Sequence, residues 1–165
     1  MPKTIRINGL SQENINNAIK EVRRYKRWVE QKEIELRTRL AEIGAEVARV
    51  KFSGAAYDGV NDVSVRVDHT AISAVIYAEG QAVAFIEFGS GAEKGYGHPS
   101  AGEHGFGPGT WSTSELGKGH WDNPNGWYYK HGEKSHGNAP AMAMWGAVET
   151  MTEQITTIAK EVFRA

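Results

Sequence analysis

The feature that most constrains this chain is a long stripe of apolar residues near its N-terminus. Between Ser11 and Val50 these residues recur at steps of four and three, which places them along one face of an α-helix. They are Ile15, Ile19, Val22, Val29, Leu36, Leu40, Ile43, Val47 and Val50. Ser11 is a suitable N-cap. Lys26 and Glu33 interrupt the stripe, so the pattern predicts either two helices broken near them or one helix of about 60 Å that projects toward a partner.

Alternating apolar and polar residues predict short β-strands before and after the long helix. Residues 4–8 predict a short strand ahead of the helix, and residues 63–67 and 72–77 predict an antiparallel hairpin. The apolar run at residues 81–88 follows. At this length periodicity does not distinguish a buried strand from a short helix, so both remain open.

Residues 89–139 form a segment of unusual composition. They include 13 of the 19 glycines, five of the six histidines and three of the five tryptophans. Disordered linkers are usually poor in aromatic residues, and a structureless loop of this length is rare inside a compact domain. The composition therefore predicts an extended, glycine-turned arm that becomes ordered when its rings are buried.

The last part of the chain returns to helical spacing. Its apolar positions are Trp145, Val148, Met151, Ile155, Ile158 and Val162. Pro140 suits the first turn of this helix. The elements predict a single α+β domain over residues 1–165, in which a small antiparallel sheet is packed by long N-terminal and C-terminal helices and the arm spans residues 89–139.

Composition and charge exclude several classes of protein. The chain has no cysteine, which excludes disulfides, cysteine-based zinc sites and thiol nucleophiles. No apolar run has the length that a membrane span needs, and no export signal is visible, so we expect a soluble protein. The net charge is −1. However, residues 1–51 hold 12 Lys and Arg against 7 Asp and Glu, and residues 52–165 hold 7 against 13, an asymmetry that can serve contact between copies.

The sequence offers few candidates for catalysis. The possible metal ligands are His98, His104, His120, His131 and His136, which lie among glycines and outside any His-Glu-x-x-His motif. Ser90 has glycines beside it but not at the spacing of a nucleophile elbow, and the glycines at 105–109 lack the lysine of a phosphate loop. We therefore expect no enzyme activity, no cofactor and no metal, with a metal-dependent hydrolase as the alternative.

A basic run offers a second alternative. Its members recur at helical spacing, with Tyr25 and Trp28 between or beside them: Lys20, Arg23, Arg24, Lys26 and Arg27. Such a run can contact phosphates. Nearby glutamates dilute its field, so we expect no specific nucleic-acid ligand and keep a DNA-binding accessory module as an alternative.

Residues 83–91, Val-Ala-Phe-Ile-Glu-Phe-Gly-Ser-Gly, resemble a signature of a tailed-bacteriophage neck and tail-component family, often called gene-product-ten-like. A second stretch, residues 140–145, is similar to the family's closing segment, where a proline opens the C-terminal helix. The motif positions are Glu87, Phe88, Gly89, Ser90, Gly91, Pro140 and Trp145. The order of helix, hairpin, Glu-Phe-Gly turn, variable loop and helix also agrees with the family.

This resemblance implies a virion protein assembled in the cytoplasm of a bacterial host. It implies a homo-oligomeric ring, hexameric or dodecameric, in head–tail joining, tail completion or a minor tail position. Its partners would be other neck and tail proteins, and phage DNA would pass through the ring. Within the motif, Gly89 and Gly91 permit positive φ, Phe88 anchors the turn in the core, and Glu87 accepts hydrogen bonds from the turn or pairs with a neighbouring subunit.

Overall fold

The computed structural model describes residues 9, 11–56, 61–91, 94–104, 117–118, 127–129, 134–135 and 137–164. The predicted α+β class is confirmed, because a two-stranded antiparallel sheet packs against long N-terminal and C-terminal helices. The predicted strand at residues 4–8 lies outside the described residues. The elements are α1 (Gln12–Ser53), β1 (Ser64–His69), β2 (Ala74–Glu79), α2 (Val83–Phe88), a 3-10 turn (Ala101–His104), β3 (Gly117–Lys118), β4 (Trp127–Tyr129), β5 (Lys134–Ser135) and α3 (Ala143–Arg164).

Helix α1 is one continuous helix of 42 residues. The Ser11 Oγ accepts a hydrogen bond from the Asn14 amide at 3.2 Å, which caps its N-terminus as expected. The two charges that interrupt the apolar stripe pair along the helix, Lys26 with Glu30 at 3.7 Å and Glu33 with Arg37 at 3.4 Å. Because charged pairs at this spacing support a helix, the interruption does not break it.

Helices α1 and α3 pack against each other through small residues. Their chain directions are opposite, since Arg39 near the middle of α1 pairs with Glu161 at the end of α3, and Lys51 near the end of α1 reaches the carbonyl of Met142. The buried small residues are Ala41, Gly44, Ala45, Ala48, Ala143, Gly146 and Ala147. Side chains of this size allow the two helices to approach closely.

One of the close contacts is at Gly44. A Cβ atom there would lie 2.7 Å from the Met151 sulfur and 2.8 Å from Ile76 Cδ1. Three elements, α1, α3 and β2, therefore meet at one glycine. Beyond it, Phe52, Phe85 and Ile86 form the buried core with the alanines of both long helices.

The apolar stripe predicted from spacing is not the face of α1 that α3 covers. Ile15, Ile19, Val22 and Val50 are exposed, and the other members of the stripe are only half-buried. At 100° per residue, the buried face of Ala41, Ala45 and Ala48 lies roughly a third of a turn around the helix from the stripe. The large apolar side chains of this stripe are therefore left largely at the surface.

The predicted hairpin is confirmed, with Val67 opposite Ile76 in an antiparallel register. The Thr70 hydroxyl accepts a hydrogen bond from the Ser73 amide at 2.9 Å and so closes the turn. The Arg37 guanidinium of α1 donates to the carbonyls of Ala71 and Ile72, which fastens the turn to the helix.

The run after the hairpin is a short helix, α2, and not a strand. The Asp62 carboxylate accepts hydrogen bonds from the amides of Gln81 at 2.6 Å and Ala82 at 3.3 Å, just ahead of this helix. The bond from Gln81, and secondarily that from Ala82, lowers the pKa of Asp62 below its ordinary value. Asp62 thus links the start of the hairpin to the start of α2.

Candidate functional site

The motif at the end of α2 forms a tight junction with the chain that returns from the arm. Gly89 has a φ of 77°, and Gly91 has a φ of 89°, as the sequence predicted. A Cβ at Gly89 would lie 2.8 Å from the Pro140 nitrogen and 2.9 Å from the Asn138 carbonyl oxygen. Both the positive φ and this close approach of backbone require glycine.

Ser90 and Asn138 fasten the two ends of the arm together. Their backbones exchange two hydrogen bonds, of 2.9 and 3.1 Å, and the Ser90 hydroxyl donates to the Asn138 side-chain oxygen. The Asn138 side-chain amide also donates to the Phe85 carbonyl at 2.9 Å. We call residues 94–104 and 137–139 the base of the arm. Between them the structure describes only β3, β4 and β5, which pair antiparallel.

Glu87 is the centre of the site. It is only 4% exposed, and its carboxylate accepts hydrogen bonds from three successive amides, those of Ala143 at 2.8 Å, Met144 at 2.9 Å and Trp145 at 3.0 Å. These amides open α3 and have no partner inside their helix. The positive end of the α3 dipole also favours a carboxylate at this place. Glu87 therefore caps a helix that begins 56 residues later in the chain.

Met142 directs those three amides at Glu87. Its φ is 50°, a left-handed conformation that costs a side-chain-bearing residue about 1–3 kcal/mol. The Met142 carbonyl accepts hydrogen bonds from the Gly146 amide at 2.9 Å and from Lys51 Nζ at 3.1 Å. The bonds of the following amides to the Glu87 carboxylate offset this strain, together with the bond from the Met142 amide to the Glu87 carbonyl at 3.3 Å.

His98 supplies the fourth donor to Glu87. Its Nε2 lies 3.2 Å from Glu87 Oε1, and its Nδ1 accepts a hydrogen bond from the Ser100 amide at 3.2 Å. This pattern assigns the neutral ring with its proton on Nε2. The ring packs between Phe88, at 4.6 Å between centroids, and Trp145, at 5.8 Å. We call Glu87, His98 and the α3 amides the glutamate lock, because they join α2, the base of the arm and α3.

The lock contains a carboxylate, an imidazole and a hydroxyl in series, but its geometry is poor for nucleophilic catalysis. The Ser100 hydroxyl lies 3.4 Å from His98 Nδ1, whose lone pair already accepts the Ser100 amide. The His98 side chain is only 2% exposed, so a substrate has no access to it. Glu87 in turn is fully engaged by its four donors. The arrangement therefore orients three segments and leaves Ser100 without an activating base.

The structure changes the interpretation of several motif residues. Glu87 draws all four of its donors from its own chain and none from the turn at residues 89–91, so it has no carboxylate oxygen free for a neighbouring subunit. Phe88 is only half-buried, against the rings of His98 and His104, and the core position belongs to Phe85 and Ile86. The helix begins at Ala143, so Pro140 precedes its first turn.

The structure describes two of the five histidines that were considered as metal ligands. His98 is buried in the lock and His104 is exposed, whereas His120, His131 and His136 lie outside the described residues. Among the residues that the structure describes, no group of three or more His, Asp or Glu side chains is arranged to hold a metal ion. Sequence spacing gave no indication that His98 would pair with Glu87.

A second candidate site is the N-terminal part of α1. Trp28 packs edge-on against Phe163 near the end of α3, at 5.9 Å between centroids, and residues 12–27 extend past this contact. We call residues 12–27 the projecting segment. Its apolar members are exposed, with Ile19 at 43% and Val22 at 53%, and its five basic side chains are exposed as well.

Among the described residues, no helix is long and apolar enough to cross a membrane. A scan against protein-family models, a search of curated proteins and a search of solved structures each found no match to this chain.

Proposed function

We propose that this chain is a structural protein of the neck or tail-completion region of a tailed phage or prophage, and that it acts by assembling into a homo-oligomeric ring. The observation that carries the proposal is the apolar face of the projecting segment, formed by Ile15, Ile19 and Val22. A helix held only by its own hydrogen bonds gains little from an apolar stripe that faces water. Such a stripe is typical of a helix that is buried by a partner.

The glutamate lock supports the same proposal in a different way. The residues that resemble the phage family signature are the ones that bind α2 to the start of α3. Closing a ring from identical subunits requires each subunit to present its two contact surfaces at a fixed angle. A buried carboxylate with four donors holds α2 and the base of the arm rigidly against α3, so the signature would serve the rigidity of the subunit on which such an angle depends.

Two other functions predict different measurements. A metal-dependent hydrolase would contain stoichiometric zinc, lost when the arm histidines are changed to Gln. A DNA-binding module would use exposed cations of the projecting segment such as Lys20, Arg23 and Arg27, and its retention on DNA would fall steeply with salt. Elemental analysis and salt-dependent DNA retention of the purified chain separate both functions from the proposal.

The direct test is the oligomeric state of the full chain. Mass photometry and negative-stain electron microscopy should show closed rings of six or twelve subunits. Mass spectrometry of purified phage particles should detect the chain in the virion. A chain that remains monomeric at high micromolar concentration, and is absent from particles, would refute the proposal. The gene should lie between portal and head-closure genes upstream and the major tail protein gene downstream.

A further inference from the structure

An open apolar groove of about 540 Å³ lies where α1, β2 and α3 meet. Its walls include Leu40 and Ala41 of α1, Val75 and Ile76 of β2, and Val148 and Met151 of α3. Several of its wall side chains are exposed, Ile72 at 83% and Val148 at 54%. The groove is therefore a surface with unburied apolar area and not part of the core.

The groove is poorly suited to a small polar ligand. Only two of its lining residues are polar, Arg37 and Ser73. The Arg37 guanidinium is committed to two carbonyls of the hairpin turn and to Glu33, and the Ser73 hydroxyl lies 2.7 Å from that of Thr70. Ligand sites usually present a few polar groups that fix orientation. A groove whose polar groups are already paired favours an apolar occupant.

We propose that the occupant is the apolar face of the projecting segment of a second copy. The chain's own segment has no access to the groove, because α1 is continuous from Gln12 to Ser53. Ile15 and Leu40 are 25 residues apart on that helix, which is about 37 Å along its axis. The helix would have to break to place its own Ile15 beside its own Val148.

The two surfaces match in length. Ile15 to Tyr25 on the projecting segment spans about 15 Å of helix, and the apolar row of α3 from Met144 in the groove to Ile155 just beyond it spans about 16 Å. Ile155 is exposed and continues the row of Val148 and Met151 along α3. A helix lying along this row would bury apolar side chains on both surfaces.

The two surfaces are also opposite in charge. The projecting segment carries five cations, Lys20, Arg23, Arg24, Lys26 and Arg27, against the carboxylates of Glu13 and Glu21. Residues 61–91 carry three exposed carboxylates, those of Asp62, Asp68 and Glu79, against Arg66 alone, and α3 carries three carboxylates against two cations. Opposite charge beside an apolar contact favours the docked orientation and disfavours the pairing of two projecting segments.

The contact joins two different surfaces and is therefore heterologous. Repetition of a heterologous contact gives a closed ring or an open filament, according to the rotation between subunits. The ring outcome rests on the proposed function, whereas the contact itself does not. The inference thus names the two surfaces through which copies assemble.

The chain's lack of cysteine makes a crosslinking test clean. Full-length Val22→Cys and Val148→Cys variants are prepared separately, mixed under mild oxidation and analysed on non-reducing gels. Val22→Cys mixed with Val50→Cys is the matched control, because Val50 is exposed but lies outside the groove. We expect a disulfide-linked dimer from the Val22 and Val148 mixture at a yield at least tenfold above that of the control and of either variant alone.

Each other outcome overturns the inference in an identifiable way. Dimers from Val22→Cys alone would show that two projecting segments pair with each other. Rings without any crosslink between Val22 and Val148 would show assembly through other surfaces, in which case the proposed function stands and the groove contact fails. Monomers without crosslinks would refute both. Circular dichroism of each variant confirms that it is folded before mixing.

Discussion

The two halves of α1 have similar hydrophobic patterns but different environments. In the C-terminal half, α3 covers a face of Ala41, Gly44, Ala45 and Ala48 that ends at the buried Phe52. In the projecting segment, larger apolar side chains such as Ile19 and Val22 face solvent. The comparison shows that residue size, and not only the presence of an apolar stripe, decides which face is used inside the subunit. Small residues allow the two helices to meet closely, and the large residues of the stripe stay exposed or half-buried.

The largest expected loss of stability is in the C-terminal half of α1. Phe52→Ala removes a ring that is only 1% exposed and should cost about 3–5 kcal/mol of unfolding free energy, or roughly 6–20 °C in Tm. Ile19→Ala in the projecting segment should change unfolding of the dissociated chain by at most about 0.5 kcal/mol. Thermal melting under dissociating conditions measures both. If Phe52→Ala and Ile19→Ala lose the same unfolding free energy, the two halves of α1 do not differ in the way described.

The next largest loss of stability is expected from a change in the glutamate lock. Glu87→Gln keeps the shape of the side chain but turns an amide NH₂ toward a donor of α3 or His98. We expect a loss on the order of 2–3 kcal/mol, because charge-assisted bonds to buried donors are replaced. Glu103→Gln, at an exposed position of the 3-10 turn, is the control. Chemical denaturation that finds the two variants equally stable would contradict the assigned role of Glu87.

Gly44 tests the close contact of the two long helices. Gly44→Ala should cost about 1–3 kcal/mol despite the better helix propensity of alanine, because the new methyl group would overlap Met151 and Ile76. Gly102→Ala is the control, since its added Cβ would meet nothing within 4 Å. A stabilised Gly44→Ala variant would mean that the helices have room to separate.

A smaller effect is expected from Asp62 and depends on pH. The pKa of Asp62 is lowered in the folded chain, mainly by the Gln81 amide, so its contribution is present above the pKa of the unfolded state and is lost as pH falls through the folded pKa. Asp62→Asn should therefore have a lower Tm than the wild type at pH 7. The difference in Tm between the two proteins should become smaller below about pH 4. Parallel Tm curves across this range would show that the carboxylate charge is not responsible.

The sequence predicted elements well where local pattern determines them. The N-cap at Ser11, the antiparallel hairpin and the positive φ of Gly89 all follow from local rules, and the structure confirms them, although β2 begins at Ala74 and not at Ile72. Sequence spacing does not decide whether α1 is continuous. It does not indicate that Lys26 and Glu33 pair with Glu30 and Arg37 along the helix.

The sequence did not predict contacts between distant segments. Glu87 is joined to His98 and to the amides of α3, which lie up to 58 residues away, and no periodicity encodes such a distance. Likewise, the apolar stripe of α1 stands out because its residues are large, whereas the buried part of the contact with α3 is made mainly by alanine and glycine. A hydrophobic pattern is recognised by its large apolar residues, whereas the close packing of these two helices requires small ones.

We propose above that the large apolar residues of the projecting segment make the contacts between copies. Sedimentation velocity of the Ile19→Gln, Val22→Gln double variant tests this directly, because glutamine keeps helix propensity while removing the apolar face. Val50→Gln, at the exposed end of α1, is the control. We predict that the double variant sediments as a monomer with unchanged circular dichroism, while the wild type and Val50→Gln sediment as the same oligomer. A double variant that assembles as the wild type does would contradict the account.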